Sequence, residues 1–360
     1  MNASICISII LASTALVGAE VAVMDGRGDL AQPFAVVFGA DGTLYGVEFE
    51  KGNRVFAVSP DRKTFTIVAG VGGKGGKALG DVAEGDGGPA KKARFNGMHD
   101  LAIAPDGTLY IADTFNNRIR ILKPGSGEDA GTWTVDTFAG TGGKGAFGGD
   151  GGPARNAKLN RPHTVTLSPD SSRLLVADLG NRRIREIDLK TTIIRTVAGS
   201  GRRGSPRDGG TAIREPLVDP RAACYGADGR TIYIASRGGN ALREVTPDGQ
   251  ITTVVNPDGT KGYANGTGLV SKLNGPKHVS LDPDGNVVIA DDQNHCIRLY
   301  QPKNQVVSLL AGIPEISGKK LGRGRLDTLL NSPHGARYDA DGTLHVADSM
   351  NDRIVAFSGK

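Results

Sequence analysis

Residues 98–113 read MHDLAIAPDGTLYIAD, and NNRIR follows at 116–120. This pattern of two short apolar runs around a turn dipeptide returns six times along the 360 residues. Successive turn dipeptides are 56 to 65 residues apart, at Asp41-Gly42, Asp106-Gly107, Asp170-Ser171, Asp228-Gly229, Asp284-Gly285 and Asp341-Gly342. Self-similarity at a long and nearly fixed period is typical of a repeat architecture.

Each copy predicts four short β-strands. In the second copy we expect strands at 100–104, 108–112, 118–122 and 134–139, with Asp106-Gly107 forming the tight turn between the first two. Four antiparallel strands repeated six times describe an all-β, six-bladed β-propeller. The last copy, 333–357, supplies only three strands, and 20–26 resembles a fourth strand without a blade. We therefore expect the N-terminal strand to pair with the C-terminal blade and close the ring, which removes exposed strand edges.

The repeated residues resemble those of the NHL-repeat family. The shared pattern is Pro-x-x-Val/Leu-x-x-x-Pro-Asp-Gly, followed by Val/Ile-Ala-Asp and Asn-x-Arg-Ile. The resemblance extends over residues 20–360 and includes Gly-Asp-Gly-Gly-Pro-Ala linkers like those of secreted bacterial NHL propellers. It implies the propeller fold. It does not select a function, because this family includes binding modules, sensor domains and enzymes.

Residues 1–19 are predicted to be a secretory signal peptide. An apolar run at 5–17 leads into Val17-Gly18-Ala19, a run of small residues before the expected cleavage site. The mature propeller domain would then be 20–360, with a secreted or periplasmic location. The apolar run is too short for a membrane span, and no other stretch is long enough. Of the three cysteines, cleavage would leave Cys224 and Cys296, which we expect to be buried and unpaired, although pairing stays open.

The charge balance is modest, with 43 Lys and Arg against 38 Asp and Glu and a net charge of +5. Basic residues concentrate in glycine-rich linkers such as 202–207 and 319–325, which we interpret as solvated loops. The sequence contains no basic motif interleaved with aromatic residues, so it does not indicate nucleic-acid binding. We expect a monomer whose partner is a protein, a glycan or a small molecule.

Two sets of recurring aspartates have different interpretations. The first set ends the second strand of four blades, and we expect it to form turns with the polar loop that follows; its members are Asp113, Asp178, Asp291 and Asp348. The second set lies in the glycine-rich linkers, at Asp86, Asp150 and Asp208. Asp86 and Asp150 are predicted to cap short helical turns. Because long loops gathered on one face of a propeller can hold a ligand or partner, the linker aspartates are also candidate binding residues.

The residue that opens each inner strand differs between blades, unlike the other positions of the repeat described above. Around the ring it is Phe34, His99, His163, Arg221, Lys277 and His334. Inner strands line the central channel, so these six side chains should converge at its mouth. Three of the chain's six histidines occupy this position. They could cap their strands, bind a metal such as zinc through three imidazoles, or join Arg221 and Lys277 in binding an anion.

Two of these positions resemble a known zinc site. Pro162-His163-Thr164-Val165 and Pro333-His334-Gly335-Ala336 are similar to the contexts of two zinc histidines in peptidyl-hydroxyglycine amidating lyases, which are NHL-type propellers. The resemblance implies zinc at His163 and His334, and His99 matches more loosely. The positive charges of Arg221 and Lys277 would oppose a bound cation.

The sequence therefore predicts a binding or scaffold module acting through its glycine-rich loop face and channel mouth. The alternative is a metal-dependent lyase or hydrolase that uses His99, His163 and His334, with zinc as the possible cofactor. No Gly-x-Ser-x-Gly or His-Glu-x-x-His motif indicates another catalytic site.

Overall fold

The computed structural model describes residues 21–24, 30–72, 85–125 and 132–359. The predicted signal peptide, 1–19, lies outside this range, as does Cys6. The described chain forms six antiparallel sheets arranged as the blades of a β-propeller, which confirms the predicted fold.

The first 14 strands are the N-terminal strand β1, which belongs to blade six, and the 13 strands of blades one to three. They are β1 (Val21–Met24), β2 (Pro33–Phe38), β3 (Leu44–Glu48), β4 (Val55–Val58), β5 (Phe65–Ala69), β6 (Gly88–Pro89), β7 (Leu101–Ile103), β8 (Leu109–Asp113), β9 (Arg118–Pro124), β10 (Trp133–Ala139), β11 (Pro162–Leu167), β12 (Arg173–Asp178), β13 (Arg183–Asp188) and β14 (Ile194–Ala198).

Blades four to six contain the remaining strands. They are β15 (Gly210–Thr211), β16 (Pro220–Tyr225), β17 (Ile232–Ser236), β18 (Ala241–Val245), β19 (Gln250–Val255), β20 (Gly266–Thr267), β21 (Pro276–Leu281), β22 (Val287–Asp291), β23 (Cys296–Gln301), β24 (Val306–Ala311), β25 (Gly335–Tyr338), β26 (Leu344–Asp348) and β27 (Arg353–Phe357).

Helical structure among the described residues is limited to single 3₁₀ turns. They lie at Ala90–Lys92, Thr114–Asn116, Ala154–Asn156, Leu179–Asn181, Asp292–Asn294 and Ser349–Asn351. Within this part of the chain, no helix has the length and apolar composition that a membrane span requires.

Blades two, four and five have five strands instead of the predicted four. The additional strands are β6, β15 and β20, each two residues long, and each pairs with the outer edge of its blade. They come from the linkers that precede the inner strands. The sequence analysis treated these linkers as loops, because two residues are too few for an alternating apolar pattern to show.

The ring closes as the sequence predicts. Strand β1 pairs antiparallel with β27, with Val21 opposite Phe357 and Met24 opposite Ile354. Blade six is thus built from both ends of the described chain. The core lies between neighbouring blades, where apolar faces are removed from water. In one such cluster Val47 of blade one is buried together with Leu109 of blade two.

The aspartates that end the second strands act as turn-forming scaffold, as predicted. In blade two, Asp113 accepts hydrogen bonds from the Asn96 backbone N–H at 2.8 Å and from Asn116 Nδ2 at 2.9 Å. The same pair of bonds recurs at Asp178, Asp291 and Asp348. Each of these four carboxylates is completely buried, so its hydrogen-bonding capacity is used within its own blade.

The two cysteines of the described chain, Cys224 and Cys296, are both free and buried, which confirms the unpaired interpretation. Burial raises the pKa of the Cys224 thiol to about 12, so it behaves as a small apolar side chain.

Candidate ligand site at the channel mouth

The same backbone conformation precedes each of the six residues that open the inner strands, which we call the ring residues. Two positions before each of them, the backbone has a positive φ. These left-handed residues are Gln32 (47°), Gly97 (60°), Arg161 (52°), Asp219 (44°), Gly275 (68°) and Ser332 (48°). In blade four the strand pairing then shifts register between Pro220 and Ala222, which leaves Arg221 as an extra residue. Bulges of this kind redirect a side chain, and they are frequent beside functional sites.

The structure brings all six ring residues together. Phe34, His99, His163, Arg221, Lys277 and His334 line one cavity of about 390 Å³ at the channel mouth. The cavity has two chemically different sides. One side carries Phe34, Phe49 and Phe115, which we call the aromatic arc. The other carries Arg221, Arg237 and Lys277, which we call the cationic arc.

The aromatic arc is a set of stacked and edge-on rings. The Phe34 ring stacks on Phe49 with 4.2 Å between ring centroids and on His334 with 3.7 Å. His99 meets Phe34 and Phe49 edge-on, at 5.2 and 4.7 Å. His99 also lies 4.1 Å from His163, centroid to centroid. These contacts fix the rings and give one side of the mouth a flat apolar surface.

The cationic arc is held by two carboxylates. Asp292 is almost fully buried, with Oδ1 3.3 Å from Lys277 Nζ and Oδ2 3.5 Å from Arg237 Nη2. Asp219 Oδ1 lies 3.1 Å from Arg221 Nε. Three cations therefore share two carboxylates when all five groups are charged. The Nε of Arg237 is buried without a hydrogen-bond partner among the described residues. This side of the mouth has an excess of positive charge and an unused donor.

The histidines are neutral at physiological pH. Burial lowers the pKa of His99 to about 3 and holds the pKa values of His163 and His334 well below the usual range. The neighbouring Lys277 lowers all three values further, because a second positive charge nearby is unfavourable. The mouth thus combines neutral imidazoles with charged Arg side chains.

The nitrogen atoms of these histidines are directed at protein groups. His163 Nε2 lies 3.2 Å from Arg221 Nη1, and His334 Nε2 lies 2.5 Å from Lys277 Nζ. His99 Nδ1 contacts the Gly97 carbonyl oxygen at 2.8 Å. A zinc ion needs nitrogen lone pairs, and two of the three Nε2 atoms face cationic side chains instead. Among the described residues, no three His, Cys, Asp or Glu side chains are placed to hold a metal. This arrangement does not fit a zinc centre, and the predicted metal site has no support from it.

The linker aspartates lie away from the mouth. Asp86 lies 2.5 Å from Nη2 of the fully buried Arg120 and accepts a hydrogen bond from Thr137 Oγ1. Asp150 makes the equivalent contacts with Arg185 and Thr196, and Asp208 accepts the Thr253 backbone N–H at 2.7 Å. The three threonines lie on the outermost long strands of their blades, β10, β14 and β19.

The prediction that Asp86 and Asp150 cap helical turns was wrong. The 3₁₀ turns at Ala90–Lys92 and Ala154–Asn156 begin without a side-chain cap. A carboxylate that can reach a buried guanidinium gains more from that ion pair than from a one-turn helix end.

A second ring of residues at the mouth, which includes Arg237, Phe49 and Asp292, is not marked by the sequence features described above. Each follows the last residue of its second strand. Around the ring this position is Phe49, Thr114, Leu179, Arg237, Asp292 and Ser349. The same search for irregularity at a fixed repeat position would have found them. Asp292 was hidden because it follows the recurring scaffold aspartate Asp291 and resembles a second copy of it.

This fold and mouth define a six-bladed propeller with a polar channel entrance, and the similarities to known proteins support an NHL-repeat β-propeller family. A family model described as the Teneurin NHL domain matches residues 12–123. "Protein SUPPRESSOR OF QUENCHING 1, chloroplastic" of Arabidopsis thaliana is 30% identical over 82% of the chain and 30% of its own length. "NHL repeat-containing protein 2" of Bos taurus is 25% identical over 73% of the chain and 39% of its own length. The chain thus spans only about a third of these relatives.

Solved structures share the fold at low sequence identity. An auxiliary nutrient binding protein from Bacteroides ovatus superposes with a TM-score of 0.65 at 14% identity, covering 92% of this chain and 70% of that one. Virginiamycin B lyase from Staphylococcus aureus gives 0.57 at 14% identity, covering 95% and 100%. Similarity at this level establishes the architecture only.

Proposed function

We propose that the chain is a ligand-binding module whose site is the channel mouth, and that its ligand is a small organic oxyanion with a flat apolar part. A carboxylate or phosphate on an aromatic or similarly planar body has this chemistry. The observation that carries the proposal is the pairing of a cationic arc and an aromatic arc across one cavity of about 390 Å³.

The cationic arc supports the oxyanion. Arg221 and Arg237 each present a planar fork of donors, the geometry that carboxylates and phosphates match best. Both side chains are about three-quarters buried, so a bound anion would be poorly screened by solvent. The three cations of this arc face two carboxylates, so one positive charge is not balanced. A bound oxyanion would supply the missing negative charge.

The aromatic arc supports a flat apolar body on the same ligand. Phe49 and Phe115 are only partly buried in the unliganded mouth, whereas Phe34 behind them is buried. A planar group covering Phe49 and Phe115 would remove apolar surface from water and gain ring–ring contacts. The cavity has the size of a pocket for a small molecule.

The linker aspartates give less support to the loop-face alternative. Asp86, Asp150 and Asp208 are already bonded to groups of their own blades. The metal-dependent lyase or hydrolase alternative, with His99, His163 and His334 as ligands, stays a prediction from the sequence. Metal analysis of the purified chain tests it, since one equivalent of zinc lost in His334→Ala would support that alternative.

An extracytoplasmic location, secreted or periplasmic, remains part of the proposal. It rests on the predicted signal peptide. A likeness to a nutrient binding protein from Bacteroides ovatus is compatible with it.

Calorimetric titration tests the ligand class. Benzoate carries a carboxylate on a planar ring, and benzamide is its uncharged analogue of nearly equal shape. We expect benzoate to bind with one site per chain, and benzamide to bind at least tenfold more weakly because it lacks the charge for Arg221 and Arg237. Benzoate affinity should also fall as salt is added. Equal affinities for the two compounds, or no binding of either, would contradict the proposal.

A further inference from the structure

Lys277 differs from the other lysines of the described chain by its position inside the mouth. Its side chain is 13% exposed, and Lys277 lines the cavity together with Arg221 and Arg237. Lys63, by contrast, is 81% exposed. A lysine that is desolvated next to other cations has the environment of a nucleophilic amine.

We propose that Lys277 condenses reversibly with the carbonyl group of a 2-oxo acid that binds in the mouth, forming an imine. The inference rests on the proposed function, because Arg221 and Arg237 would hold the carboxylate of that acid. It goes beyond the proposed function because it adds a covalent step.

The geometry supplies a base for the amine. His334 Nδ1 lies 2.9 Å from the Ser332 carbonyl oxygen, so Nδ1 carries the proton and Nε2 has the lone pair. That Nε2 lies 2.5 Å from Lys277 Nζ. The imidazole is held in this orientation by stacking on Phe34. His334 Nε2 is therefore placed to relay a proton that leaves Lys277 Nζ during the reaction.

The surroundings disfavour a charged Lys277. Its side chain is 13% exposed, and Arg221 and Arg237 line the same cavity, so burial and like charge both oppose the ammonium form. Asp292, whose Oδ1 lies 3.3 Å from Lys277 Nζ, acts in the opposite direction.

The reaction balances without any oxidant or reductant. The lone pair of neutral Lys277 Nζ attacks the carbonyl carbon, and the C=O π pair moves to oxygen. One proton of the nitrogen passes through His334 Nε2 to that oxygen, which gives a carbinolamine. The second nitrogen proton passes by the same route to the hydroxyl group, which leaves as water while the nitrogen lone pair forms the C=N bond. The net change is one amine and one carbonyl giving one imine and one water.

The 2-oxo acids are the carbonyl class that suits this mouth. Their carboxylate is bonded to the carbonyl carbon, and the cationic arc places guanidinium groups next to the amine. An aromatic side chain on the acid would face Phe49 and Phe115. Phenylpyruvate combines the three features, and phenyllactate is its matched control because a hydroxyl replaces the carbonyl.

Reductive trapping tests the proposal. The full chain is incubated with phenylpyruvate and sodium cyanoborohydride at pH 8, and the adduct is measured by intact mass and peptide mapping. We expect one adduct per chain, located at Lys277, forming at least tenfold faster than at any other lysine. Phenyllactate should give none, and Lys63→Arg should react like the unmodified sequence.

Two variants test the roles of the Lys277 amine and of His334 separately. Lys277→Arg keeps a cation but has no nucleophilic amine, so it should form no mouth adduct, while phenyllactate affinity of the native chain, measured separately, reports on the oxyanion site. His334→Phe keeps the stack on Phe34 but removes the acceptor, so trapping at Lys277 should slow at least tenfold near neutral pH and recover at high pH. A purely structural His334 would not produce that pH-dependent recovery.

The outcomes distinguish this proposal from the function it rests on. If phenyllactate binds and no adduct forms at Lys277, the lysine proposal is wrong and the oxyanion site stands. Equal labelling of Lys277 and exposed lysines would also overturn it. If neither binding nor trapping occurs, both are wrong. If Lys277 is trapped without measurable phenyllactate affinity, the nucleophile stands and the oxyanion site is overturned.

Discussion

The linker aspartates and the channel mouth are both charged regions that the repeat pattern made conspicuous, yet the structure uses them in opposite ways. Asp86 and Asp150 each neutralise a fully buried arginine of their own blade. At the mouth, Arg221, Arg237 and Lys277 share two carboxylates beside an open cavity. The difference shows that a recurring charged residue indicates a ligand site only when its own scaffold leaves charge and donors unused.

The largest effect on stability should come from the linker pair of Asp86 and Arg120. Asp86→Ala leaves the buried Arg120 with the more distant Asp113, at 3.6 Å, as its one carboxylate partner among the described residues. We expect the free energy of unfolding to fall by about 3 kcal/mol, because removing the closer partner of a buried ion pair leaves the guanidinium charge poorly compensated. Denaturant unfolding measures it, and benzoate affinity should not change.

Asp136→Ala is the matched control for Asp86→Ala. Asp136 forms an ion pair with Arg155 on the same blade, but both side chains are about half exposed. Exposed pairs contribute about 0–1 kcal/mol. If the two variants lose the same stability, the structural role assigned to Asp86 is wrong.

Substitutions at the channel mouth should change ligand affinity more than stability. Arg237→Met removes one guanidinium from the cationic arc, and we expect benzoate affinity to fall about 10- to 100-fold. The unfolding free energy should fall less than in Asp86→Ala, because Asp292 keeps Lys277 as its partner at 3.3 Å. Arg62→Met is the control, because Arg62 lines a different cavity. Calorimetry with both variants checks this. Unchanged affinity in Arg237→Met would remove the distinction between the two regions.

The buried histidines give the mouth a dependence on pH. His99 has a pKa of about 3 in the folded chain and an ordinary value of 6.5. Between these values the unfolded chain binds more protons, so stability falls as pH decreases. From pH 6.5 to 5 the loss attributable to His99 is about 1.5–2 kcal/mol.

His99→Phe, which keeps an aromatic ring at the same place, should remove that part of the acid destabilisation. The measurement is the difference in unfolding free energy between the two proteins at pH 6.5 and pH 5. A difference that does not vary with pH would mean that His99 is protonated in the folded state.

The smallest effect is expected at Asp208. Asp208 accepts a hydrogen bond from the Thr253 backbone N–H, and an amide oxygen can accept the same bond. We expect Asp208→Asn to cost about 1 kcal/mol or less in unfolding free energy and to leave benzoate affinity unchanged. A loss as large as that of Asp86→Ala would show that all three linker aspartates work alike.

Much of this architecture could be predicted from the sequence, because the signals recur at fixed positions. The four-strand repeat, the pairing of β1 with β27 and the convergence of the six ring residues follow from repeat arithmetic and alternation. The ion pair between Asp86 and Arg120 could not be predicted, since the two residues are 34 positions apart in the sequence. They come together only when two outer strands pair.

Two features of the mouth also lay beyond sequence reasoning. The neutrality of the histidines depends on burial and on the directions of Arg221 and Lys277, which a linear pattern does not contain. The left-handed residues before the ring positions include Gln32, Arg161 and Ser332, which no turn rule marks as strongly as glycine.

The most direct test of the central claim is a crystal structure of the full chain with 4-bromobenzoate, using the anomalous signal of bromine to locate the ligand. We predict one bromine peak at the channel mouth near Phe49 and Phe115, with the carboxylate within hydrogen-bond distance of Arg221 or Arg237. A ligand found at the linker face, or bound with its carboxylate directed away from the cationic arc, would contradict the account.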